Sequence, residues 1–132
     1  MTEAEFIHAL DHSFRFTKKD ESIFRTIIDI ACSWSENSAL MAGFMLAIGA
    51  GSKNRRLRLL KQLTRQYSSP LLLAIAPVIQ AIIKQRPVAP QYLDDVTEQV
   101  RNSPGVYNAI CILNLADPSR NAEREGIFEE WK

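Results

Sequence analysis

The chain has 132 residues, 46% of them hydrophobic and 23% charged, with a formal net charge of +1. That balance lies in the ordinary globular range and excludes a disordered tail or a fibrous repeat. The length suits one domain over residues 1–132, able to bury about two-thirds of its unfolded surface without disulfides or metals.

Apolar positions recur at helical spacing, and no run of strict alternation is bounded by turn residues, so an all-α fold is predicted. Thr2 and Glu5 form a capping box, followed by Phe6, Ile7, Leu10 and Phe14 on one face of a first helix. Carboxylates stand where a secretory signal carries positive charge, so a cytoplasmic location is expected. Asp20 is placed to cap a second helix, whose stripe is Ile23, Phe24, Ile27, Ile28, Ala31 and Trp34.

From Ser38 to Ala50 the chain carries no charge, as in a helix surrounded by others, and Gly49 and Gly51 stop it by offering left-handed conformations. Ser52 is expected to cap the next helix, Lys53 to Tyr67. The pairs Ser69-Pro70, Ser103-Pro104 and Asp117-Pro118 each place an acceptor before a proline at a first helical position, and Pro90 opens another helix. Pro77 falls inside "PLLLAIAPVIQAII", which should therefore kink or divide. This run and "SALMAGFMLAIGA" are 14 and 13 residues long, short of the roughly 20 a membrane span needs, and read as buried core helices.

Apolar helices starting near Ser38, Pro70 and Pro104 alternate with polar amphipathic ones. A compact single-domain bundle of about six or seven helices is preferred, with a short solenoid-like stack of helix pairs as the alternative.

The near-neutral total hides a basic middle between acidic ends. Residues 1–36 hold seven acids and four bases, and residues 94–132 hold eight acids and four bases. Residues 37–93 contain no acid and eight bases: Lys53, Arg55, Arg56, Arg58, Lys61, Arg65, Lys84 and Arg86. On the helix from Lys53, the residues Leu59, Leu60, Leu63 and Tyr67 fall in one arc, with Arg55, Arg58, Lys61 and Arg65 opposite. Arg56 lies toward the apolar side, exposed in the first turn or paired with an acid of a flanking helix.

The local motifs argue against chemistry. "GAGSKN" lacks the third glycine of a dinucleotide loop and the Gly-Lys-Ser/Thr of a triphosphate loop. His8 and His12 are four apart, but Ala9 stands where a metalloprotease helix needs Glu, so no metal is predicted. Cys32 and Cys111 have apolar neighbours and read as buried, reduced thiols. No nucleophile motif is present, and neither an enzyme nor a cofactor is expected. At the carboxyl end, Ile127 and Trp131 read as the apolar side of a docking helix, or as part of an acidic-aromatic partner surface with Glu125 and Glu129.

Stoichiometric binding of another protein is therefore the expected function, through Arg55, Arg58, Lys61 and Arg65 or through Glu125, Glu129 and Trp131. A bacterial immunity or antitoxin protein, neutralising a partner toxin, is the first choice because segregated charge steers capture of one partner. An adaptor or a secretion chaperone is also compatible. The alternative is a helix-turn-helix-like nucleic-acid-binding protein using the basic helix 52–67.

Overall fold

The computed structural model describes Thr2, residues 20–49 and residues 52–132. The predicted first helix with Glu5, Phe6, Ile7, Leu10 and Phe14, the His8 and His12 pair, and Gly51 lie outside the described residues. Among those described the chain is all-α, with helices α1 (Asp20–Cys32), α2 (Glu36–Ile48), α3 (Lys53–Gln66), α4 (Pro70–Lys84), α5 (Pro90–Arg101), α6 (Tyr107–Ala116) and α7 (Asn121–Glu130). A 3-10 turn, Pro118–Arg120, leads into α7.

The apolar helices α2, α4 and α6 pack against one another, and the polar helices surround them. Their side chains merge in one core that includes Leu40, Leu46, Leu72, Ile75, Ile79, Ile110 and Ile112, all fully buried. The small residues of α2 permit this crowding. A Cβ on Gly43 would lie 2.8 Å from Ile79 Cδ1, so a larger residue here would require the tip of the Ile79 side chain to shift.

Contact between α2 and α6 decides between the two architectures. In a linear stack these helices would be separated by the intervening pair, whereas here their first turns are hydrogen-bonded. Asn37 Oδ1 accepts the backbone N–H of Asn108 at 2.9 Å, and Asn108 Nδ2 donates to the Asn37 carbonyl at 2.9 Å. Asn37 thus satisfies a first-turn N–H of α6, a group with no partner within its own helix, and Asn108 returns a second hydrogen bond to the start of α2. The bundle is closed, and the solenoid-like alternative does not hold.

Several predicted boundaries shift for identifiable reasons. α2 begins at Glu36, two residues before Ser38, because Ser35 is the N-cap and accepts the Ser38 N–H at 3.1 Å. Gly49 ends α2 in extended backbone (φ −64°, ψ 149°) rather than left-handed backbone. Ser52 occupies the N-cap position of α3 but makes no capping hydrogen bond, whereas Ser69 caps α4 through the Leu72 N–H at 3.0 Å. Pro104 opens a turn with Gly105 at φ 91°, and α6 starts only at Tyr107. Pro118 opens the 3-10 turn instead of an α-helix. Pro77 leaves α4 continuous from Pro70 to Lys84. Asp20 lies within α1 as described, and the residues before it, on which its capping role depends, lie outside the described residues.

None of the described helices is long and apolar enough to cross a membrane.

Candidate functional site

The basic helix α3 presents two surfaces beyond its buried edge of Leu59, Leu60 and Leu63. Arg58, Lys61 and Arg65 are exposed and Arg55 is half-buried, forming the stripe expected from the sequence. Next to that stripe, Leu57, Leu60, Lys61 and Thr64 line a groove shared with α4. Lys61 stands where stripe and groove meet.

On the α4 side, the expectation of a buried core helix holds for one face and not for the other. Leu71, Leu72, Ile75, Val78, Ile79 and Ile83 are buried, but Leu73 is 50% exposed, and Pro77 and Gln80 are also exposed. Leu73, Ala76, Pro77, Gln80 and Lys84 recur at intervals of three and four, so they share one face. No other described element covers that face. The resulting groove has a volume of about 410 Å³ and continues past Pro77 and Lys84 into a smaller one of about 220 Å³ near Arg86. A readable signal was present: Gln80 and Lys84 interrupt the apolar run on the same face.

Arg56 departs from the stripe. Its guanidinium Nη1 donates to the Leu46 carbonyl at 3.2 Å and the Ala47 carbonyl at 3.5 Å, so it closes the carboxyl end of α2 rather than pairing with an acid. A cation suits that end because the last carbonyls lack intrahelical donors and carry the negative end of the helix dipole. Arg56 therefore faces inward and is not part of the surface that helix 52–67 could offer to nucleic acid.

The acidic carboxyl end is organised differently. α7 docks through buried Ile127 and through Phe128 and Trp131, which pack with Tyr107 at ring separations of 5.1 and 5.4 Å. Trp131 Nε1 also donates to the Arg101 carbonyl at 3.0 Å. Glu125 and Glu129 are exposed, and Glu129 pairs with Lys132 at 3.1 Å. α7 packs mainly on α6 and the 3-10 turn, while α3 packs on α1, α2 and α4. The two predicted binding surfaces are not brought into one site.

Every base of residues 94–132 has an acidic partner. Arg101 pairs with Glu98 and Glu130, Arg120 with Asp94 and Glu123, and Arg124 with Asp117 at 3.2 Å. Arg124 is 1% exposed and also donates to the Asp117 carbonyl at 2.8 Å, a role at the end of α6 like that of Arg56 at the end of α2. Hydrogen bonds from Ser119 and Arg124 hold the Asp117 carboxyl below the usual carboxylate range. Arg120 does the same for Glu123. In contrast, Lys53, Lys61, Arg65, Lys84 and Arg86 have no carboxylate within ion-pair distance among the described residues.

Cys32 and Cys111 are free, half-buried thiols, and burial together with Asp29 pushes the Cys32 thiol up to about 11. Such a thiol is a poor nucleophile near neutral pH. Among the described residues, no group of three or more His, Cys, Asp or Glu lies close enough to hold a metal. Comparison with family models, with curated proteins and with solved structures gives no match to this chain.

Proposed function

We propose that the protein acts by stoichiometric binding of one acidic partner protein through the α3 side of the bundle. In this reading it is an immunity or antitoxin-type inhibitor working in the cytoplasm. The observation that carries the reading is the distribution of ion pairs. The acidic end neutralises its own bases, whereas Lys61, Arg65, Lys84 and Arg86 meet no carboxylate among the described residues. Unanswered charge on one face raises the encounter rate with an oppositely charged partner and discriminates against like-charged ones.

The test is affinity purification of the full chain from its native host. One protein should be retained in a one-to-one ratio and lost on Lys61→Glu with Arg65→Glu. Retention of no protein, or equal retention by the charge-reversed variant, overturns the reading. A gel-shift salt series separates the nucleic-acid alternative, since four phosphate contacts give a log–log slope of about −3.6. A slope of that size, abolished by Arg55→Glu with Arg58→Glu, would favour a nucleic-acid function instead.

A further inference from the structure

From the groove between α3 and α4 we infer that the partner enters as an acidic amphipathic helix, its apolar edge on the groove floor and its carboxylates at Lys61 and Lys84. The inference rests on the protein-binding reading above and names the part of the partner that is held. The floor is Leu57, Leu60, Leu73, Ala76 and Pro77, and the two lysines stand at its edges. Leu73 and Lys84 are eleven positions apart on α4, which is about 16 Å or three helical turns. An entering helix of about 14 residues spans that length, with apolar anchors three and four apart, the register by which helices occupy grooves.

Three features select this occupant. The segment from residue 37 to 93 contains no acid, so nothing within it repels carboxylates along the groove. An apolar floor gives no advantage to a phosphate chain, and no aromatic side chain lines the groove as a base-stacking platform would. A second copy of this chain offers α7 as its acidic helix, but Ile127, Phe128 and Trp131 of that helix are engaged in its own docking. Residues 3–19, whose sequence also reads as an apolar-faced helix with carboxylates, lie outside the described residues, and the occupant inferred here is a helix of a different protein that keeps its apolar edge free.

A fluorescein-labelled acidic peptide of about 14 residues, with leucines three and four apart among glutamates, provides the direct probe. Its twin with lysine in place of glutamate, and a DNA duplex of similar length, serve as comparisons. The acidic peptide should bind saturably, with backbone amide shifts of the unaltered chain confined to residues 57–64 and 73–84. Leu73→Gln with Ala76→Gln, which alters the floor and keeps both lysines, should weaken binding about tenfold, as should Lys61→Glu with Lys84→Glu. Absent binding, equal binding of the lysine twin, tighter binding of the duplex, or shifts elsewhere overturns the inference. The two readings also fail separately. A host partner held equally by the floor variant but lost on Lys61→Glu with Arg65→Glu would remove the groove and leave the charged face standing.

Discussion

Arg56 and Arg124 show how far a residue's chemistry can be read without its surroundings. Each reaches back ten or eleven positions to carbonyls at the end of an apolar helix, Leu46 for Arg56 and Leu113 for Arg124. The sequence reveals the charge and, for Arg56, its inward direction. It does not reveal which carbonyls lie there, because that depends on how α2 and α6 end against the following helices. Each guanidinium also keeps a buried Nε without a partner, so its remaining hydrogen bonds carry the compensation for desolvation. Replacing Arg124 with Leu should lower unfolding free energy by about 2–3 kcal/mol, because it strips a buried donor set from two carbonyls and from Asp117. Arg56→Leu should lower it by about 1–2 kcal/mol, the side chain being only half-buried. Urea denaturation measures both, and a smaller loss for Arg124→Leu than for Arg56→Leu would contradict this ordering.

At the scale of elements, propensity and punctuation located the helices well and their first residues less well. Ser69 and Pro90 act where expected, whereas Ser103-Pro104 and Asp117-Pro118 open a turn and a 3-10 turn before the helices that follow. The signal of an acceptor followed by proline is common to Ser69-Pro70, Ser103-Pro104 and Asp117-Pro118, and only the packing of the next helix decides how soon it begins. α4 holds the larger surprise, because its composition reads as buried while Leu73, Pro77 and Gln80 lie on a face that the other described elements leave exposed. Pro77 on that face removes an N–H that would otherwise bond the Leu73 carbonyl. Substituting Ala restores the donor and relieves the ring clash, so Pro77→Ala should raise unfolding free energy by about 1–3 kcal/mol. If Pro77 shapes the groove floor, the same variant should bind the acidic peptide more weakly, a stability gain coupled to a functional loss. Thermal melts alongside peptide titration check the pair of outcomes.

For the molecule as a whole, charge is partitioned between an acidic end that pairs with its own bases and a basic region in which Lys61, Arg65, Lys84 and Arg86 meet no carboxylate among the described residues. Asp117 and Glu123 are held below their ordinary carboxylate range by Ser119, Arg124 and Arg120, so their folded values lie below the unfolded ones. Their contribution is complete above the unfolded value, about 4, and is lost as pH falls through the folded values. Stability should therefore change little from these groups between pH 7 and about 5 and decline below about 4, with a shallower decline in Asp117→Asn. Chemical denaturation at several pH values measures this, and an unchanged acid slope in the variant would remove Asp117 from the account. By itself the sequence determined the all-helical class, the apolar identity of α2, α4 and α6, and the segregation of charge, because each follows from periodicity or composition along the chain. Only the tertiary structure decided that α2 and α6 meet in a closed bundle, that Arg56 and Arg124 cap helix ends, and that α3 and α4 leave a groove beside Lys61. Those outcomes depend on which faces are covered by elements distant in sequence, and a pattern of residues along one helix carries no record of what stands opposite it.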